Sequence, residues 1–355
     1  MSENEIKPFL KTLLSAPGLS GFEAPIRDII TIAWAPLVDD LKTTPLGSLH
    51  GTKQGIHPAP RNKILLAAHM DAIGLMVTAI EDGFIRVTKV GGIDVRILPS
   101  QQVLVHGKQD LPGIIVQPAD QLLPPGQSDR IISLDSLLVD TGLETEVVNA
   151  LVKVGDPISF ANPPIELGAD VISGHSLDNR ASIAALTLCL QELTHIRHDW
   201  DVIAAATSQE EETLGGGFTS SFQEMPAMAI AVDVTFARSP GVTDYNTFPL
   251  GKGVALGFGP NIHPTIHQSI KDLCMQLDIP YHVDVFPKHS GTDAYAMQIT
   301  AEGIPTMVLG IPLRYMHTPV ETVNLKDIQR AGHLLAEFIA RLDAKFIQKL
   351  TWDHS

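Results

Sequence analysis

The sequence predicts an α/β protein: a domain whose helices flank a buried sheet, interrupted by an inserted β-rich domain. Three observations predict it. Short, nearly all-apolar runs (ILLAAH, VIAAAT, AIAVDV and TMVLGI) lie between amphipathic helices, the pattern of strands buried on both faces of a sheet that helices cover. From about residue 73 to 163 the helical periodicity lapses, and short strands separated by Gly and Pro take over. Finally, 355 residues with 44% hydrophobic content exceed the usual size of one domain and suffice for a large core.

The first helix follows from Ile6, Phe9, Leu10, Leu13 and Leu14, which repeat at i, i+3 and i+4. A second is expected to start near Ser20-Gly-Phe-Glu23, a capping-box pattern, and to bury Ile26, Ile29, Ile30, Ala33, Trp34 and Leu37. ILLAAH gives the first buried strand. The insert then opens with GLMVTAI and FIRVTKV, joined at Glu81-Asp82-Gly83 as a hairpin. VLVHG, PGIIVQ and PISF add strands, and a single short helix is expected around Glu144 to Leu151. Past the insert, helices are read from Ile183, Leu186, Leu190 and Leu193, and from Ile266, Ile270, Leu273 and Leu277. The last runs through Leu325, Ile328, Ala331, Leu335, Phe338 and Leu342. This divides the chain into a discontinuous α/β domain, 1–72 with 164–355, and an insert, 73–163. No internal repeat, low-complexity tract or charge block is visible.

Composition removes several function classes. Lys plus Arg number 25 against 40 Asp plus Glu, a formal net charge of −15. That balance opposes the phosphate neutralisation on which nucleic-acid binding depends. No apolar run approaches the roughly 18 residues of a membrane span. MSENEIKPFL has neither a basic nor a continuous apolar stretch of the secretory kind, so a cytoplasmic location is expected. Cys189 and Cys274 fall on apolar helix faces and read as buried thiols.

Five metal-binding side chains, His69, Asp178, Glu211, Asp233 and His317, sit where an apolar run gives way to a loop. Imidazole and carboxylate without thiolate form the ligand set of a hydrolytic zinc, cobalt or manganese centre. Asp71, two positions after His69, suits the carboxylate that orients a ligating imidazole. Taken locally, each has a plainer reading. His69 and Asp71 could cap a strand end, Asp178 could cap the helix it begins, and Glu210-Glu211-Glu212 could be a surface charge run. Those acids, however, follow a core strand and precede Gly215-Gly216-Gly217, and in open α/β sheets sites form outside the carboxyl ends of strands. His263 and His267 read as helix-start or surface residues; His175 and His289 could line a site without binding metal. HExxH, GxSxG, Walker and paired CxxC patterns are missing from the sequence.

The order HMD, LDNR, QEEE, DVT, SGTDA and RYMHTP resembles the TET-type metallo-aminopeptidases, metallopeptidase family 42, which includes glutamyl and leucyl aminopeptidases. The resemblance runs from the first helix to the last and includes KVGGIDVRILPSQQV in the insert and GIPLRYMHTPVETVNLKDI near the end. It implies two divalent metal ions, zinc ahead of cobalt or manganese. Asp178 would bridge them, His69 and Asp233 would complete one, and Glu211 and His317 the other. Glu210 would be the general base and acid, and Asp71 would orient His69. His289, Thr292 and Asp293, in and beside SGTDA, would contact substrate. The implied substrates are peptides cut one residue from the N-terminus. The implied fold is an α/β/α catalytic domain on a mixed sheet with a β-rich, barrel-like insert, and the implied assembly is a hollow tetrahedral homododecamer formed through that insert.

The chain departs from the family pattern at four places: Ala72 where an acid is usual, Glu212 where QEEVG has Val, His175 where Lys is usual, and Asn179 where LDDR has Asp. Counting from Gln209 makes Glu210 the base and Glu211 the ligand. A related two-metal amidohydrolase, such as a carboxypeptidase or N-acyl deacylase, and an inactive assembly protein of the same fold are the competing readings. Glycoside hydrolysis by a carboxylate pair would leave His69 and His317 without a role.

Overall fold

The computed structural model describes residues 3–119, 121, 132–242 and 244–352. The chain opens with α1 (Glu3–Ser15), α2 (Ala24–Trp34), β1 (Asp40–Thr43), β2 (Leu49–Lys53) and β3 (Lys63–His69). The interior stretch follows: β4 (Gly74–Glu81), β5 (Phe84–Val90), β6 (Gln102–His106), β7 (Asp110–Val116), β8 (Leu138–Asp140), α3 (Thr145–Leu151) and β9 (Pro157–Phe160). The chain returns with β10 (Ile165–Glu166), β11 (Val171–Gly174), α4 (Leu177–Glu192), β12 (Asp201–Thr207), α5 (Glu210–Thr213), α6 (Gly215–Glu224) and β13 (Met228–Phe236). It ends with β14 (Val254–Phe258), α7 (Pro264–Gln276), β15 (Tyr281–Val285), α8 (Asp293–Gln298), β16 (Thr306–Arg314), β17 (Glu321–Asn324) and α9 (Leu325–Ala340).

An α/β architecture with a mixed sheet and a closed barrel results, as expected. In the 11-stranded sheet the path is β1-β2-β12-β3-β13-β16-β17-β11-β10, and β14 joins β16 to β15. The four apolar runs form β3, β12, β13 and β16, which pair in parallel at the centre. α1, α2 and α9 pack on α4, while α6 and α8 pack on each other and on the central strands. α4 is buried all round from Leu177 to Leu190, so it is a central helix and not a surface one. Its close approach to α9 depends on Gly332, where a Cβ would stand 2.7 Å from the Ala185 carbonyl oxygen and from Leu188 Cβ.

The barrel closes as β4-β5-β8-β7-β6-β9 around its own core of Leu75, Val77, Ile85, Val105, Ile115, Val139 and Ile158. Asp82 and Gly83 both have positive φ, 50° and 84°, as a two-residue hairpin turn of the mirror-image type requires.

Several sequence expectations need correction. The capping box does not form. α2 begins at Ala24 with no side-chain cap, and Glu23 Oε1 accepts from the Gly21 and Gln209 N–H groups. His263 does precede a helix, α7, but it and His267 are buried; His267 Nδ1 lies 2.7 Å from the Gly257 carbonyl oxygen. Asp233 does not end its strand, because β13 continues to Phe236. Cys189 and Cys274 are free and buried, and burial pushes the Cys274 thiol up to about 12. Among the described residues no helix is long and apolar enough to cross a membrane.

Candidate metal centre

Parallel pairing aligns the carboxyl ends of β12, β3, β13 and β16. β17 runs antiparallel to β16, and β11 antiparallel to β17, so β11 ends at the same edge. Each strand delivers a candidate residue there: His69 from β3, Glu210 and Glu211 after β12, Asp233 within β13, His317 after β16, and Asp178 just past β11.

These side chains converge. His69 Nε2 lies 3.1 Å from Asp178 Oδ1, 3.7 Å from Glu210 Oε2 and 3.9 Å from Asp233 Oδ1. His317 Nε2 lies 3.4 Å from Asp178 Oδ2 and 3.5 Å from Glu211 Oε2. Asp178 thus presents one oxygen to each imidazole. Ligand atoms of His69, Glu210 and Asp233 lie within 4.8 Å of one another, as do those of His69, Asp178 and Glu211. Glu212 turns away, accepting from the Gly91 N–H. The Asp178 carboxylate is directed away from the α4 amides, with Oδ1 toward His69 and Oδ2 toward His317.

A further layer fixes these groups, and the sequence reading found only part of it. Asp71 Oδ1 and Oδ2 accept from the Glu210 and Glu211 N–H groups at 3.0 and 3.2 Å. Its backbone oxygen lies 3.2 Å from His69 Nδ1, nearer than its carboxylate at 3.5 Å. Glu321, which sequence reasoning missed, accepts from the His317 N–H at 2.8 Å through Oε1 and from the Asp178 N–H at 3.0 Å through Oε2. Its place four residues after His317, in HTPVE, was the available signal. His317 Nδ1 lies 3.0 Å from the Gly92 carbonyl oxygen, so the loop after β5 also orients this ring.

The electrostatics follow from burying many acids together. Burial raises Glu210 well above its ordinary range, and Asp233 and Asp293 add repulsion. Burial and then the Asp178 charge push Glu211 up to about 8, and the same two causes hold Asp233 at about 8. Burial alone would raise Asp178 too, but hydrogen bonds from His317 and His69 pull it below its usual value. The hydrogen bond to Asp178 lifts His317 to about 9. Burial opposes a charge on His69, yet Glu210, Asp178 and Asp71 outweigh it and hold the ring well above 6.5. In the protein alone, shared protons must serve as counter-ions; a divalent cation is the stronger substitute. The donor set suits one, all oxygen and imidazole nitrogen, and Glu211 Oε1 is buried with no hydrogen-bond partner.

The centre opens into a cavity of about 700 Å³ whose walls include His289, Thr292, Tyr245, Asp284 and Phe286. Asp293, expected to contact substrate, does not line it: the residue is buried and accepts from Thr207 Oγ1 at 2.5 Å. His175 does not line this cavity and lines another with Phe160 and Arg180.

Comparison with known proteins agrees over nearly the whole chain. Residues 47–334 match the family model described as M42 glutamyl aminopeptidase. A lysyl aminopeptidase of Pyrococcus furiosus is 33% identical, over 94% of this chain and 96% of its own. The crystal structure of a TET aminopeptidase from a marine-sediment archaeon, Thaumarchaeota archaeon SCGC AB-539-E09, superposes with a TM-score of 0.93 at 28% identity, covering 99% of this chain and 100% of that one. The Pyrococcus horikoshii TET1 peptidase, described as able to assemble into a tetrahedron or a large octahedral shell, gives 0.84 at 29% identity, over 95% and 100%. The chain belongs to the M42 glutamyl aminopeptidase family and is a peptide hydrolase.

Proposed function

We propose that this peptidase uses two divalent metal ions to remove single residues from peptide N-termini. One observation carries the reading. Asp178, Glu210, Glu211 and Asp233 crowd around two imidazoles, and among the described residues none of the four pairs with a lysine or arginine. Such a cluster of buried charge calls for a cation. His69 and Asp233 would hold one ion and Glu211 and His317 the other, with Asp178 shared. When bound, the ions would polarise the scissile carbonyl and lower the pKa of water. Glu210 would take a proton from the attacking water and return it to the leaving amine. Asp71 holds the turn carrying Glu210 and Glu211, and Glu321 ties Asp178 to His317. The free α-amine of the substrate docks against the acidic edge of the cavity, with His289 and Thr292 in its wall. Zinc, cobalt and manganese all suit these ligands.

The segment 73–163 serves assembly in this reading, building a tetrahedral homododecamer. Support comes from the assembly ascribed to the Pyrococcus horikoshii relative and from the exposed apolar side chains Phe84, Ile114, Val147 and Val154 in this segment. The test of function is a panel of chromogenic aminoacyl substrates with free and blocked N-termini. Free ones should turn over and blocked ones should not. Chelation should abolish the activity, and Zn²⁺, Co²⁺ or Mn²⁺ should restore it. Full activity in metal-free protein refutes the two-metal reading, and cleavage of N-blocked substrates points to a carboxypeptidase or deacylase.

A further inference from the structure

The Ser20-Gly-Phe-Glu23 pattern caps no helix, and its acid has another task. Segment 13–23 grips three of the stretches that carry the centre. The Ala72 N–H donates to the Gly18 carbonyl at 3.0 Å, and the Ser20 N–H to the Ala72 carbonyl at 3.2 Å. Arg180, two residues after Asp178, donates to the carbonyls of Leu13 and Ala16. Glu23, buried at 4% exposure, accepts on Oε1 from the Gly21 N–H at 2.7 Å and from the Gln209 N–H at 3.0 Å.

Gln209 is the residue at which the chain turns from β12 into α5, and it is left-handed, with φ 56° and ψ 35°. That conformation is uncommon for a residue with a side chain. The next two amides, of Glu210 and Glu211, go to Asp71. Three consecutive N–H groups are therefore taken by two buried carboxylates, and the one on Glu23 secures the left-handed residue.

We propose that Glu23 is a positioning residue which, by accepting the Gln209 N–H, holds this turn and aims the Glu210 carboxylate at the centre. The inference rests on the role proposed for Glu210. Without the acceptor, a half-buried amide loses its partner and the turn preceding Glu210 is free to relax.

The test compares Glu23→Ala and Glu23→Gln in the full-length, metal-loaded protein. Because misplacement by about 1 Å can cost roughly 10²-fold, kcat of Glu23→Ala should fall about 10- to 100-fold. Its KM should stay within about threefold of wild type, as expected where substrate binding is untouched, and metal content should not change. Glu23→Gln keeps an oxygen able to accept both amides and should restore most of kcat. Hydrogen exchange supplies a readout independent of turnover: the amide of Gln209 should exchange faster in Glu23→Ala, but not in Glu23→Gln, while α4 and α9 keep wild-type protection. Unchanged kcat in Glu23→Ala overturns the proposal, as does unchanged exchange at Gln209 or faster exchange throughout α4 and α9. If the wild-type protein cleaves no aminoacyl substrate, the aminopeptidase reading fails, while exchange at Gln209 still decides whether Glu23 holds the turn.

Discussion

Replacing Glu210 and Glu211 in turn by Gln separates a base from a ligand on adjacent residues. Both backbones are held through their N–H groups by Asp71, at 3.0 and 3.2 Å, so neither substitution disturbs the turn, and the amide keeps the volume of the acid. Only the chemistry at the carboxylate changes. An amide at 210 cannot accept a proton, and loss of a general base lowers kcat by roughly 10²–10⁴, or about 3–5 kcal/mol in the barrier. Metal content of Glu210→Gln should stay near two ions per chain, as the two-metal assignment requires. Glu211 is different. Its Oε2 lies 3.5 Å from His317 Nε2, and its Oε1 is buried without a partner. A neutral amide there should weaken one metal by at least the roughly 10-fold that loss of even an outer partner costs. Metal analysis after dialysis, together with kinetics at saturating substrate and saturating metal, reads both effects. The geometry makes the contrast a real trial, because Glu210 Oε2 is itself within 3.7 Å of His69 Nε2. If Glu210→Gln loses an ion while Glu211→Gln keeps both, the roles are exchanged and the assignment counted from Gln209 is wrong.

Three more outcomes are expected. A Cβ at Gly92 would fall 2.7 Å from His317 Nδ1, so Gly92→Ala should displace that ring and weaken one metal while leaving the fold intact, as read by metal titration and circular dichroism. In chelated protein Glu211 and Asp233 titrate near about 8 against ordinary values of 4.5 and 3.8. The folded state then holds protons that the unfolded chain has released, so Tm should fall as pH rises from about 5 to 8. His317, raised to about 9 from 6.5, adds to the loss at the upper end; the depressed Asp178 acts only at acidic pH. Metal should abolish this slope, and a flat Tm profile in chelated protein would count against crowded carboxylates. Lastly, light scattering of the intact chain should report a homododecamer and a chain lacking residues 73–163 a smaller species, whereas a monomeric intact chain would refute the assembly reading.

The amino-acid order by itself determined the α/β class, because ILLAAH, VIAAAT, AIAVDV and TMVLGI are too uniformly apolar to lie anywhere but between two layers, and they form β3, β12, β13 and β16. It also exposed the hairpin at Asp82-Gly83, whose backbone few other residue pairs tolerate. Less legible were α5, α6 and α8, short helices begun by acids or glycines, and β1 and β2, which carry too few apolar residues to announce themselves. The candidate ligands could be picked out singly, each at or near a strand end. Their convergence could not, since His69 and His317 are far apart in sequence and meet around Asp178 only once parallel pairing brings the carboxyl ends of the strands to one edge. Local pattern misread Ser20-Gly-Phe-Glu23 outright. A capping box is a contact within one turn, but a buried carboxylate takes whichever amide the fold brings to it, and for Glu23 that amide belongs to Gln209, 186 residues away. Propensity and periodicity act over a few residues and were readable in the chain; pairing of buried charges and amides acts through space, and only the tertiary structure decided it.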